Sequence, residues 1–308
     1  MNAHRPPPRF FGFTLIEAVV AITIMGIIAG IVAVFIVRPM QGYADLARRA
    51  ELVEAAESAL RRMARDLRIA LPNAVRVTDP GTGASFAVEM LPILDAGKYN
   101  VSATPACSRA SVGNNNTDFD VLPCFRNPTL TALVGTPSTS FRLVINNRDE
   151  SVYTDTSVNS PITPLGTVIT IIVHDASVTS CAAAVGTCGT ASFRHHITLG
   201  TAHKFSTASP NQRLFVVTTP VSYLCDTSAG TLTRYYNYAI TATQPTTTAA
   251  FTALNASIAL VTDHISTCNM TTTTSDIKNR GLATLTLGLS DEGETIKLVH
   301  QVQLDNSR

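Results

Sequence analysis

A single carboxylate lies inside the longest apolar run of this sequence. Between Phe13 and Val37, Glu17 is the only strongly polar side chain, and about 20 apolar residues are enough to cross a bilayer. A charge at the centre of a membrane helix costs roughly 2.5–3.5 kcal/mol, so an acid in such a run marks a candidate functional residue. Phe13 lies four positions before Glu17, one helical turn away, so a helix would place both residues on the same face.

The twelve residues before Phe13 form a short basic leader. They contain Arg5 and Arg9 and end in Gly12. Positive charge before a membrane helix keeps that end in the cytoplasm. The leader, the stretch GFTLIE at residues 12–17 and the apolar run together resemble the processing and assembly signal of type IV pilins and type II secretion pseudopilins.

The resemblance implies two roles at this end of the chain. A membrane-embedded prepilin peptidase would cleave between Gly12 and Phe13, and the new amino terminus of Phe13 would be N-methylated. Glu17 would then pair with the Phe13 ammonium group of a neighbouring subunit. A buried charge needs a partner, and a partner in the next subunit makes the pairing conditional on assembly.

Two simpler interpretations of the apolar run compete with this one. A secretory signal peptide normally has an apolar core of about 7–15 residues without a carboxylate, and no clear A-x-A cleavage site precedes Asp45. The other interpretation is a plain single-pass anchor in which Glu17 is incidental. We favour the pilin signal because leader, length and a following helix occur together.

Six cysteines follow the membrane segment and suggest disulfides, since the domain is expected in the oxidising periplasm. They are Cys107, Cys124, Cys181, Cys188, Cys225 and Cys268. Proximity in sequence predicts the pairs Cys107–Cys124, Cys181–Cys188 and Cys225–Cys268, although six cysteines allow 15 connectivities. The alternative is a metal site, but no CxxC spacing or suitably spaced histidine supports it.

Other polar clusters offer weaker candidates. His195 and His196 are neighbours, so on a strand they point to opposite faces and cannot share one ion. The remaining histidines of the domain look unconnected in sequence: His174, His203, His264 and His300. Residues 114–120 and 291–294 could offer oxygen ligands to calcium, but neither matches the twelve-residue calcium loop, and we expect solvated turns. Apart from this possible calcium, we expect no metal and no cofactor.

Motifs for catalysis or nucleotide binding are missing from the sequence. There is no GxSxG elbow and no GxxxxGK phosphate loop, and the SxxK match at residues 275–278 lacks its companion motifs. The formal charge of +1 becomes −1 without Arg5 and Arg9, and no basic stripe indicates nucleic-acid binding. We expect a protein that is not an enzyme.

The periodicity after the apolar run predicts an amphipathic helix over residues 38–71. Pro39 should kink this helix, and Pro72 should end it. The heptad-spaced apolar positions are Leu46, Val53, Leu60 and Leu67. We expect this stripe to pack on the protein's own sheet, with a free coiled coil as the alternative.

Residues 72–308 change to β-branched and alternating patterns, which predict an antiparallel β-rich domain. Predicted strands cover residues 141–146, 168–174, 193–198, 214–218, 221–225, 232–240, 258–265, 282–289 and 295–304. Residues 226–230 and 290–294 read as hairpin turns, and residues 102–117 and 244–250 as exposed loops. The fold class is therefore α+β, a long N-terminal helix packed on an antiparallel sheet as in pilins.

Two further segments resemble minor pilins of the PilW/PulJ class. They are residues 218–225 with 230–234, and the final hairpin up to Asn306. The resemblance implies a structural subunit of the bacterial inner membrane with its β-domain in the periplasm, later displayed on a pilus. Its partners would be other pilins through the helix from Phe13 to Val37, the prepilin peptidase and the inner-membrane assembly platform. A secretion pseudopilin and a tip adhesin are the alternatives.

Overall fold

The computed structural model describes residues 12–78, 85–101, 109–154, 159–175, 188, 193–273 and 280–305. The helices are α1 (Leu15–Val32), α2 (Arg38–Arg68), α3 (Pro128–Ala132), α4 (Ser151–Thr154) and α5 (Thr248–Ala253), and a π-helical segment, Ala33–Val37, joins α1 to α2. The early strands are β1 (Arg76–Thr78), β2 (Ser85–Met90), β3 (Ile93–Tyr99), β4 (Asn115–Leu122), β5 (Arg142–Ile145), β6 (Asn159–Ser160), β7 (Ile169–Asp175) and β8 (Phe193–Phe205). The later strands are β9 (Arg213–Val217), β10 (Val221–Asp226), β11 (Thr231–Tyr236), β12 (Ser257–Thr262), β13 (Ile265–Thr273), β14 (Arg280–Asp291) and β15 (Glu294–Asp305).

The predicted α+β class is confirmed, because one long helical run precedes a mainly antiparallel β region. The chain divides into two compact units, Met1–Glu51 and Leu52–Arg308. The first unit contains α1 and the beginning of α2. The second contains the rest of α2 and all the strands.

The helical run continues through Pro39 and changes its winding just before it. Proline has no backbone N–H, and its ring collides with the carbonyl group four residues earlier, which here belongs to Phe35. That carbonyl lies inside the π-helical segment Ala33–Val37. A π-helical turn changes the spacing of the helical hydrogen bonds, so it allows the helix to accommodate the proline.

The helix ends at Arg68, three residues before the predicted end. The reason is a competing set of backbone hydrogen bonds to residues 91–93, where the chain passes from β2 to β3. The Leu71 N–H donates to the Leu91 carbonyl at 2.7 Å, and the Ile93 N–H donates to the Ile69 carbonyl at 2.7 Å. Ala70 therefore already forms an isolated antiparallel bridge with Pro92.

The described strands of the β region form three sheets. The first has the order β1-β2-β10-β11-β12 and the second β13-β14-β15, and both are fully antiparallel. The third has the order β5-β9-β3-β4-β8-β6, with β7 also paired to β8, and only its β6–β8 pair is parallel. The predicted antiparallel β-sheet domain therefore contains three sheets in its described part.

The second unit's part of α2 packs on the first two sheets, as the heptad pattern predicted. Leu60 and Leu67 are buried in one cluster with Val88 of β2, Tyr223 of β10 and Leu285 of β14. Asp66 adds a polar contact, because its Oδ2 atom accepts hydrogen bonds of 2.8 Å from both the Tyr223 hydroxyl and the Arg234 Nε–H. The third sheet has its own cluster, which includes Phe119, Ile171 and Ile197.

The two predicted hairpin turns are present. Glu292 and Gly293 both have positive φ, 43° and 94°, as the tight connection from β14 to β15 requires. In the other turn the Asp226 carboxylate accepts from the Ser228 and Ala229 N–H groups, and Gly230 has φ 67°. Six strands were not predicted: β1, β2, β3, β4, β6 and β13.

Candidate functional site

The amino-terminal site is built on the first turn of α1. Thr14 is the N-cap in an extended conformation, and its hydroxyl accepts a 3.3 Å hydrogen bond from the Glu17 N–H. Glu17 is the third helical residue, close to the unpaired N–H groups and the positive end of the helix dipole. An acid in this position is stabilised by roughly 0.3–1 kcal/mol, which offsets part of the cost of placing it in an apolar run.

Phe13 lies outside the helix that it precedes. Because α1 begins at Leu15 after the Thr14 cap, Phe13 occupies the position before the cap. The expectation that helical spacing alone places Phe13 and Glu17 on one face therefore does not hold. The backbone at Thr14 determines where the Phe13 amino group would point relative to the helix.

The apolar surface of α1 is not covered by any other described part of the chain. None of its residues is buried, and Ile16, Ile22 and Met25 each expose about 70% or more of their surface. A large exposed apolar surface marks contact with lipid or with other proteins. Within the described residues, one helical run is long and apolar enough to cross a membrane, Leu15–Arg68.

The disulfides correct two of the three predicted pairs. Cys225 of β10 bonds Cys268 of β13 as predicted, with 6.6 Å between their Cα atoms. Cys124 bonds Cys188, so the predicted pairs Cys107–Cys124 and Cys181–Cys188 are wrong. The third sheet folds the chain back on itself and brings these two distant cysteines together. Cys107 and Cys181 lie outside the described residues.

His195 lies beside the Cys124–Cys188 disulfide in a cavity of about 580 Å³. Its Nδ1 atom accepts a 3.0 Å hydrogen bond from the Phe125 N–H. Burial lowers the pKa of His195 below its usual 6.5, and the nearby Asp95 carboxylate opposes that shift. A neutral imidazole fits the role of acceptor.

His196 points to a different set of partners, as expected for neighbours on a strand. Its Nδ1 atom lies 2.8 Å from Asp120 Oδ1, and His174 Nδ1 lies 3.1 Å from the same oxygen. The expectation that His174 is unconnected was wrong. The local sequence does not indicate this cluster, because Asp120 is 54 residues from His174 and 76 residues from His196.

The two calcium candidates differ in structure. Residues 114–120 were expected to form a solvated turn, but most of them belong to β4, where Asn116 and Asp120 are buried. Asn116 makes hydrogen bonds to backbone groups of Ser111, Asn114 and His203, so its amide is already used in holding the chain. Residues 291–294 form the expected hairpin turn.

The comparisons with known proteins bear on the amino-terminal site alone. Residues 8–33 match the family described as the prokaryotic N-terminal methylation motif. No curated protein and no solved structure was found to match the chain. The matched range includes Gly12, Phe13 and Glu17.

The motif and the bare apolar helix support a type IV pilin-like protein, a pilin or pseudopilin type of subunit. Families of this type are structural subunits rather than enzymes. The same two features are consistent with anchoring in a membrane, and the motif suggests assembly with other pilins and processing by a prepilin peptidase.

Proposed function

We propose that this chain is a minor pilin, processed between Gly12 and Phe13 and incorporated into, or priming, a type IV pilus. The observation that supports it most directly is the match of residues 8–33 to the methylation motif, followed by an apolar helix whose only acid is Glu17. The β region would then be displayed outside the helical bundle. The work of such a subunit is structural.

The proposed assembly step is the pairing of Glu17 with the Phe13 ammonium group of a neighbouring subunit. Before assembly, the N-terminal position of Glu17 in α1 lowers the cost of its charge. Removal of residues 1–12 would leave Phe13 as the new terminus, directly before the Thr14 cap. The new positive charge would therefore lie outside the helix, where it can reach an adjacent chain.

The proposed location follows from the leader and the helix. Arg5 and Arg9 would hold the leader in the cytoplasm and place the β region in the periplasm, where its disulfides can form. After assembly the subunit would lie on the pilus. The inner-membrane assembly platform would be a further partner.

Within this class we favour a subunit similar to the MSHA pilus biogenesis protein MshO, in the PilW/PulJ class. The supporting residues are 218–225 and 230–234, of which 221–225 and 231–234 lie in the paired strands β10 and β11, together with the final hairpin. The β region of about 235 residues is bulky for a tightly wound shaft, which favours a priming or tip position.

The test of the pairing is Glu17→Gln, which keeps the size of the side chain and removes its charge, with Glu17→Ala beside it. The matched control is Thr23→Ala, which removes another polar side chain from the same exposed helix. We expect all variants to be inserted and cleaved, and only the Glu17 variants to be missing from sheared fibres. Normal incorporation of Glu17→Ala would refute the pairing.

Two other roles share the same amino-terminal site. One is a type II secretion minor pseudopilin of the GspJ kind, and the other is a pilus-tip adhesin that binds through exposed loops. A deletion strain separates them. Loss of pili supports the assembly role, normal pili without adhesion support the adhesin, and blocked protein secretion with intact pili supports the pseudopilin.

A further inference from the structure

We propose that Asp120, His174 and His196 form a binding site for a divalent transition-metal ion such as Zn²⁺. The site is in the third sheet and is independent of the proposed role in pilus assembly. No sequence motif and no family match points to it. The inference depends on the way three strands bring three metal-ligating side chains together.

The sheet register places the three residues on one face. Asp120 of β4 lies directly opposite His196 of β8. His174 of β7 is paired with Arg194, two residues from His196 on the same strand, so it lies diagonally across from His196 on that face. Because each strand is hydrogen-bonded to β8, the backbone holds the three Cα positions without help from an ion.

The three donor atoms converge. Asp120 Oδ1 lies 2.8 Å from His196 Nδ1 and 3.1 Å from His174 Nδ1, and all three ligand atoms lie within 4.8 Å of one another. Ligands on a tetrahedral zinc ion at 2.0–2.1 Å are separated by about 3.3 Å. A bound ion would lengthen the Asp120–His196 separation by about 0.5 Å and the Asp120–His174 separation by about 0.2 Å, with each imidazole proton on Nε2.

The site is enclosed. Asp120 and His174 have no exposed surface, and His196 exposes 2%. Two neutral imidazoles and a carboxylate are ligands that zinc and other first-row ions accept, whereas calcium prefers oxygen ligands alone. Three protein ligands leave the fourth position of a tetrahedral ion to a further ligand.

Arg194 is the group that opposes the ion. Its Nη1 atom lies 3.8 Å from Asp120 Oδ2, and its side chain is 28% exposed. Without metal, this guanidinium group balances the buried carboxylate. When an ion binds, the arginine would repel it, and its partial exposure lets it turn toward solvent.

This balance separates the metal site from its main competitor, a purely structural cluster of hydrogen bonds. In a metal site, Arg194→Gln removes a repelling charge and should tighten binding on the order of tenfold. In a hydrogen-bonded cluster that takes no metal, the same change removes the counter-charge of Asp120 and can only destabilise the protein.

The experiment is titration of the full-length chain in detergent with Co²⁺ and Zn²⁺, after removal of metal by a chelator and with the disulfides intact. We expect one Co²⁺ per chain, with the visible absorption of a low-coordinate ion, and displacement by Zn²⁺. His174→Gln should weaken binding by at least about 100-fold, more than the loss of an outer-shell partner does. The control is His264→Gln, which changes an exposed histidine outside the cluster.

Several outcomes would overturn the proposal. These are no saturable binding by the folded wild-type chain, binding that His174→Gln leaves unchanged, or binding that Arg194→Gln weakens. If His174→Gln fails to fold, X-ray absorption of the wild-type zinc form decides instead. The zinc ion is expected to have two imidazole ligands and additional oxygen ligands. Sulfur ligands, or a coordination shell without imidazole, would contradict the site.

Discussion

Arg76 and Glu89 lie directly opposite each other on β1 and β2 and form an ion pair that is buried from solvent. The guanidinium group also donates 2.8 Å hydrogen bonds to the carbonyl groups of Thr241 and Ala242, and Tyr238 Oη donates to Glu89 at 2.8 Å. Burial raises the pKa of Glu89 above its usual 4.5, although Arg76 acts against the shift. The pair joins the edge of the first sheet to the chain that follows β11.

We expect Glu89→Gln to lower the free energy of unfolding by about 3–5 kcal/mol, because it leaves the Arg76 charge buried without its counter-ion. Urea unfolding of the full-length chain in detergent would measure it. The matched control is Glu57→Gln, which breaks an exposed pair with Arg61 on α2. That change should cost no more than about 0.5 kcal/mol. Equal losses of unfolding free energy at the two positions would show that burial does not strengthen the Arg76–Glu89 pair.

The Cys225–Cys268 disulfide should contribute roughly 4 kcal/mol of stability, because it closes a loop across a sequence separation of 43 residues. We expect the double serine variant at these positions to unfold at correspondingly lower denaturant concentration. Peptide mapping without reduction should also yield the Cys124–Cys188 linkage. A Cys107–Cys124 peptide in that map would contradict the structure.

His195 should make the protein less stable as the pH falls below about 6.5. Its pKa in the folded protein is lower than the usual 6.5, so the unfolded chain takes up a proton first and is favoured by acid. His195→Gln can still accept from the Phe125 N–H but does not titrate in this range. We expect the stability of the variant, followed by urea unfolding from pH 7.5 to 5, to depend less on pH than that of the wild type. His264→Gln serves as the control, and an equal slope in wild type and His195→Gln would rule the effect out.

Gly12→Val should block removal of the leader, if the proposed processing is correct. Among the described residues, a Cβ atom at Gly12 would meet nothing within 4 Å, so these contacts do not require glycine there, and the requirement would come from the peptidase cleft. Intact mass measurement should find the variant heavier than the processed wild type by residues 1–12. Gly26→Ala, also in open space, should be processed normally.

Local features of the fold could be predicted from sequence. The turns at Gly230 and Gly293 follow from residues that accept positive φ, and the Leu60 and Leu67 stripe follows from helical period. β2 and β3 were missed because Pro92 interrupts one apolar run. In the structure the chain passes at that point from the first sheet to the third.

The candidate metal site could not be predicted in the same way. Asp120 belongs to a segment rich in asparagine and aspartate, a composition typical of loops. Its relation to His174 and His196 depends on which strands become neighbours and in which register. The Cys124–Cys188 bond could not be predicted for the same reason. Pairing each cysteine with its nearest neighbour in the sequence takes no account of which strands become adjacent in the sheet.

The disulfide between β10 and β13 also has a mechanical consequence. A pulling force applied at the ends of the chain passes through the Cys225–Cys268 bond and bypasses the residues between these cysteines, which include β11 and β12. A separation of 43 residues corresponds to about 145 Å of extended chain that cannot be drawn out while the bond is intact. Under load the protein would therefore be much less extensible in its oxidised form than in its reduced form.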